Sequence, residues 1–146
     1  MKLEISKDKL EEIPEKIILT SSRRKSAVAR VTIKPGNGII RINGRMLTSI
    51  QEKWRKEIIK EPLTLLKPLL DVVDIKVNVE GGGKMGRAQA IRTAISRAFV
   101  KFFDDLLLEQ FLREYDRYLL IQDPRRKEMR KWGGPGARAR KQKSYR

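Results

Sequence analysis

Residues 72–103 read VVDIKVNVEGGGKMGRAQAIRTAISRAFVKFF, and the spacing of apolar side chains changes period in the middle of that stretch. Val72 opens a β-branched run in which Val73, Ile75, Val77 and Val79 alternate with Asp74, Lys76, Asn78 and Glu80. A two-residue period of this kind is that of a strand with one face buried. Gly81-Gly82-Gly83 halts it. From Gly86 to Phe103 the apolar residues Ala88, Ile91, Ile95, Ala98, Phe99 and Phe102 recur three and four apart, which places them on one face of a helix. Arg87, Arg97 and Lys101 fall on the other side, and Arg92 flanks the stripe. A strand that feeds a helix through glycines is the centre of the expected fold.

Upstream, residues 17–34 read as extended, and Ala27, Val28, Ala29, Val31 and Ile33 give the second half a strand pattern against Arg30, Thr32 and Lys34. Pro35-Gly36-Asn37-Gly38 is a turn cluster, and Ile39, Ile40 and Ile42 make a return strand expected to pair with the first as a hairpin. Asn43-Gly44 marks a second turn. Over residues 49–60, Ile50, Trp54 and Ile58 stand four apart and predict a helix with one apolar stripe, and Pro62 and Pro68 should break the stretch after it into short pieces. Downstream, Asp105 to Tyr115 predicts a helix that gathers Leu108, Phe111 and Leu112, and Tyr118 to Ile121 a last short strand. Trp54, Phe99, Phe102 and Phe111 are expected in the core. The sum is an α+β layer, a small mixed sheet with helices packed on one face.

The chain has 146 residues and a formal net charge of +16, with no Cys and no His. Disulfides and thiolate metal sites are excluded, and the commonest general base is missing. We therefore expect no enzyme, no metal and no cofactor. No apolar run is long enough to span a bilayer. The first residues, MKLEISKDKLEEIPEK, lack the apolar segment of a signal peptide, so a cytoplasmic location is expected. The charge is distributed in blocks: net −1 over residues 1–20, +9 over 21–60, −1 over 61–124 and +9 over 125–146. Self-repulsion within a +9 block calls for a counter-anion, and two such blocks predict two contact zones. Gly81-x-Gly83-x-x-Gly86 matches the dinucleotide fingerprint by letter, but the second strand of a βαβ unit does not follow it. The same turn reads equally well as a plain turn or as a row of backbone N–H groups open to an RNA phosphate.

Three segments are expected: an extension at 1–16, a globular α+β domain at 17–123 and a basic tail at 124–146. The tail, with Gly133, Gly134, Pro135 and Gly136 in its middle, cannot bury enough surface to offset the entropy of ordering, so alone it should be disordered. The candidate phosphate ligands are Arg23, Arg24, Lys25, Arg30, Lys84, Arg87, Arg92 and Arg97 in the domain, and Arg125, Arg126, Lys127, Arg130, Lys131, Arg138, Arg140 and Lys141 in the tail. Trp132 and Tyr145 can stack on unpaired bases, and Trp132 equally can pack on the domain or on a neighbouring protein.

Four stretches together resemble the universal small-subunit ribosomal protein family nine, whose eukaryotic members are numbered sixteen. They are Ser22-Arg23-Arg24-Lys25-Ser26-Ala27-Val28-Ala29-Arg30-Val31; Gly36-Asn37-Gly38 with Ile42-Asn43-Gly44-Arg45; Val77 to Gly83 with Gly86, Ala90-Ile91-Arg92 and Ser96-Arg97-Ala98; and Asp123-Pro124-Arg125-Arg126 through Ala137-Arg138-Ala139 to Gln142-Lys143-Ser144-Tyr145-Arg146. The Ser-Tyr-Arg ending is similar to archaeal and eukaryotic members. Residues 1–16 depart from the pattern, and Arg87 stands where the family commonly has Gln. The resemblance implies a ribosomal-protein domain of the left-handed β-α-β type and a structural place in the head of the small subunit. It implies neighbouring ribosomal proteins and the 3′ major domain of the small-subunit rRNA as partners. It also implies that Lys143, Ser144, Tyr145 and Arg146 approach peptidyl-site tRNA. Two competing classes share some of these features: a free RNA- or DNA-binding maturation factor, and a nucleotide-dependent enzyme that uses the glycine turn.

Overall fold

The computed structural model describes residues 16–144. The antiparallel pair β1 (Ile18–Arg24) and β2 (Ala27–Pro35) comes first, followed by β3 (Ile40–Ile42) and β4 (Arg45–Met46). Helix α1 (Lys53–Leu65) and the single turn α2 (Lys67–Leu70) lead into β5 (Val73–Glu80). Then come α3 (Lys84–Phe103) and α4 (Leu106–Tyr115). The strands form one mixed sheet in the order β1-β2-β5-β3-β4. β3 and β5 are parallel neighbours, and the crossover between them is α1 and α2, as parallel pairing requires.

Strand alternation sorts the sheet into two faces. Ala27, Ala29, Val31 and Ile33 of β2 and Val73, Ile75, Val77 and Val79 of β5 are buried beneath the helices. Arg23, Arg30, Lys34, Arg41 and Lys76 are exposed on the opposite face. The expected face of α3 is the face that packs: Ala88, Ile91, Ile95, Ala98, Phe99 and Phe102 are all at most 1% exposed. Its C-terminal end carries an aromatic group in which Phe103 stacks on Phe99 at 6.2 Å and meets Phe102 edge-on at 5.1 Å. Leu108, Phe111 and Leu112 of α4 join the same core, and Asp105 caps that helix by accepting the Leu107 N–H.

The structure corrects five expectations. Residues 17–34 are two strands, turned at Lys25-Ser26. β2 and β3 do not pair, because β5 enters between them. The Pro35–Gly38 segment wraps the start of β5: Gly36 N–H donates to the Val72 carbonyl and Gly38 N–H to that of Val73, while the Asp74 carboxylate accepts from Asn37 and Ile39. β3 instead forms its hairpin with β4 across Asn43-Gly44, both at positive φ (48° and 80°), the conformation that favours this dipeptide in two-residue turns. α1 runs through Pro62, which is buried, and packs through Ile59, Leu63 and the following Leu66, leaving Trp54 42% exposed. Residues 117–119 form a 3₁₀ turn capped by Asp116, not a strand. No element follows it among the described residues.

Phe99→Ala removes the side chain at the centre of this packing. It should cost about 3–5 kcal/mol, read as a lowered urea midpoint with the helical spectrum retained at zero denaturant.

Candidate nucleic-acid interface

Two turns meet at one end of the sheet. Lys25, at φ 54°, and Ser26 turn β1 into β2. Gly81 and Gly82, at φ 68° and 59°, fold against that turn. A Cβ on Gly81 would lie 2.5 Å from the Ser26 carbonyl oxygen, and one on Gly82 would lie 2.7 Å from the Ala27 nitrogen. Neither site accepts a side chain, which is the physical reason for glycine at both. The contact brings Arg23 and Lys25 to the same end as Lys84 and Arg87, which stand in the first turn of α3. Arg87 donates to the Gly81 carbonyl at 2.7 Å and Arg23 to that of Lys25 at 3.1 Å. Lys84 pairs with Glu52 at 2.9 Å, and its hydrogen bond holds that carboxyl below the usual range. Gly83, the N-cap of α3, offers no side-chain acceptor to the first N–H groups of the helix.

The root of the tail is fastened to the same end. The Arg24 guanidinium lies between Gln89 Oε1, at 2.7 Å, and the Asp123 carboxylate, in an ion pair whose side chains are 16% and 12% exposed. Asp123 also accepts the Arg125 backbone N–H at 2.8 Å and its guanidinium at 2.7 Å. The Arg125 side-chain and backbone hydrogen bonds lower the Asp123 pKa from 3.8 to about 2, and the same pairing raises that of Arg125. Arg23, Arg24, Gln89, Arg92, Tyr118 and Arg125 share the walls of one shallow cleft here with Asp116 and Asp123. The two basic zones of the sequence thus adjoin each other.

Not every candidate cation faces solvent. Arg92, 17% exposed, is held by Glu61 at 2.8 Å and Asp116 at 2.6 Å, tying α3 to α1 and to the turn after α4. Arg24 is occupied as described. Arg97 donates to the Ser21 carbonyl at 3.2 Å, and Arg30 faces Glu80 at 3.4 Å on the open sheet face. In the tail, Arg126, Lys127, Arg130, Lys131, Arg140, Lys141, Lys143 and Ser144 are exposed. Arg138 is paired with Glu128, whose carboxyl it holds below the usual range. Tyr145 and Arg146 lie outside the described residues. The sequence reading did not single out Asp123 and Gln89, which fasten the tail, nor Lys34, Arg41 and Lys76 on the open face. Strand alternation alone could have found Lys34 and Lys76. Gln89 carries no local signal, because its partner Arg24 is distant in sequence, and the same distance hides the pairing of Arg24 with Asp123.

No cluster of potential metal ligands occurs among the described residues, and no described helix is long and apolar enough to cross a membrane. A sheet open on one side, a cationic end built from two interlocked turns and a fastened basic tail define a basic scaffold protein. The model of the ribosomal protein S9/S16 family matches residues 22–146. Similar proteins include the small ribosomal subunit protein uS9 of Desulfurococcus amylolyticus, 47% identical over 131 residues, covering 90% of this chain and 94% of that one. That of Halobacterium salinarum is 45% identical, covering 87% and 97%, and that of Thermoplasma acidophilum 46%, covering 88% and 100%. The chain belongs to the ribosomal protein S9/S16 family, of the archaeal type. It is a structural, non-enzymatic constituent of the small ribosomal subunit.

A carboxyl titrating below its ordinary value stabilises the fold above that value and ceases to do so as pH falls through its folded pKa. The Asp123 clamp should therefore be intact above 3.8 and released as the pH falls through about 2. Arg125→Ala should move the Asp123 midpoint up toward 3.8, followed by carbon NMR of side-chain carboxyls; an unmoved midpoint would show that the Arg125 side chain takes no part in the clamp.

Proposed function

We propose that this protein neutralises phosphates of the small-subunit rRNA, in the 3′ major domain of the head, where the RNA would otherwise repel itself. In this reading residues 17–123 are the docking domain, 124–146 are a tail threaded between RNA strands, and 1–16 are a separate extension. It works in the cytoplasmic ribosome beside other proteins of the head. The observation that carries the reading is the Arg24–Asp123 pair, which sets the root of one basic block against the turn of the other. A continuous cationic track can then run from Arg23, Lys25, Lys84 and Arg87 through Arg125 into Arg126, Lys127, Arg130 and Lys131, and on to Arg140 and Lys141. Arg24 and Arg92 act from behind this track, holding its elements in place, and Arg30, Arg97 and Arg138 contribute at its margins. Contacts of this kind position the RNA and are indifferent to its sequence.

The tail continues past Lys143 and Ser144 toward Tyr145 and Arg146, and we assign these four residues to the peptidyl-site tRNA. The family match running to residue 146 supports this assignment.

Each phosphate contact contributes about 0.7–0.9 to the slope of log affinity against log salt. Replacing Arg126, Lys127, Arg130 and Lys131 together by Gln should lower that slope by about 3 in filter binding to head-domain rRNA; an unchanged slope would remove the tail from the interface. Deleting residues 143–146 should leave incorporation into subunits intact and weaken retention of peptidyl-site tRNA. Equal tRNA affinity in deleted and intact subunits would defeat the tRNA assignment.

A further inference from the structure

Among its described residues the tail closes on itself. Glu128 and Arg138 pair across it with contacts of 3.0 and 2.8 Å, and the Lys141 N–H donates to the Gly133 carbonyl at 3.1 Å. Between these closures the chain doubles back so tightly that a Cβ on Gly134 would lie 1.9 Å from the Ala139 carbonyl oxygen. Only glycine permits that approach. Residues 128–141 are therefore a closed loop. It holds the largest apolar side chain of the tail outward: Trp132 is 103% exposed, with Met129, three residues earlier, at 87%.

A fully exposed indole gains apolar burial when a flat partner covers it. Arg130 and Lys131 precede Trp132, Arg140 and Lys141 lie across the loop closure, and Glu128, the one acid after Asp123, is already neutralised by Arg138. The surroundings demand an anion while the indole demands an apolar plane. An unpaired nucleotide has both, a phosphate on one side and a base on the other. A protein pocket would have to supply carboxylates for the cations and an apolar slot for the ring.

We infer that Trp132 is a base-stacking residue, presented by the 128–141 loop to an unpaired RNA base whose flanking phosphates meet Arg130, Lys131, Arg140 and Lys141. This rests on the proposal that the tail binds RNA, and it goes further by adding a stacking site to an interface otherwise made of charge.

The full-length chain with Trp54→Phe leaves Trp132 as its one indole. Short single-stranded oligoadenylate should quench its fluorescence, whereas inorganic polyphosphate should bind without quenching. Trp132→Phe should keep the affinity for oligoadenylate, and Trp132→Leu should lose about 5- to 150-fold of it with polyphosphate binding unchanged. Leucine binding oligoadenylate as well as tryptophan, or polyphosphate quenching as strongly as the oligonucleotide, would overturn the stacking site and leave the charge reading standing. Loss of binding to both polyanions by the unsubstituted chain would bring down the RNA-binding proposal itself.

Discussion

Carboxylates are scarce in this chain, 18 against 34 basic side chains, and their placement decides how the cations are arranged and which of them are enclosed. Glu61 and Asp116 hold Arg92, Asp123 holds Arg24 and Arg125, Glu52 holds Lys84, and Glu80 faces Arg30. Most of these pairs bridge elements distant in sequence, so the limited negative charge shapes the domain. The exposed Arg30–Glu80 pair contributes little by itself. The more enclosed pairs of Arg24 and Arg92 have a geometric effect: they fix where α3 meets α1 and where the tail departs.

Charge allocation of this kind works only on a frame that apolar burial has already set. α3 lies across the helix-side face of β1, β2 and β5, and Thr20 joins that packing through a hydroxyl that donates to the Ala94 carbonyl at 3.0 Å. Because α3 begins beside the β1–β2 turn, its first-turn cations are delivered to that turn by the same packing that forms the core. Core and interface are consequences of a single strand-to-helix passage at Gly81–Gly83.

Much of this was visible in the spacing of side chains. The alternation of Val73 to Val79 and the three- and four-residue recurrence from Ala88 to Phe102 are local patterns, and each describes the element that formed. What escaped was non-local. β5 inserts between β2 and β3 because its strand has both edges available, and nothing within residues 27–42 records that competitor. Trp54 looked like core because Ile50 and Ile58 share its stripe, yet α1 is turned by the demands of Ile59, Leu63 and Leu66 against α3. The cations of the interface were legible by type. Their division into exposed ones and structurally committed ones, such as Arg24 and Arg92, depended on acids far along the chain. The small local closure of the tail was not expected from its composition, and it depends on a single acid, Glu128, and a single glycine, Gly134.

The last strand of the sheet, β4, is two residues long, and on the opposite margin Arg97 occupies the Ser21 carbonyl. On the β4 side the sheet has little free backbone for a second copy to extend, and on the β1 side the Arg97 cation beside Ser21 discourages edge-to-edge pairing. A newly synthesised molecule must pass through a crowded cell before it reaches its place in a particle. A short border strand on one side and a charged margin on the other each work against edge-to-edge pairing during that passage.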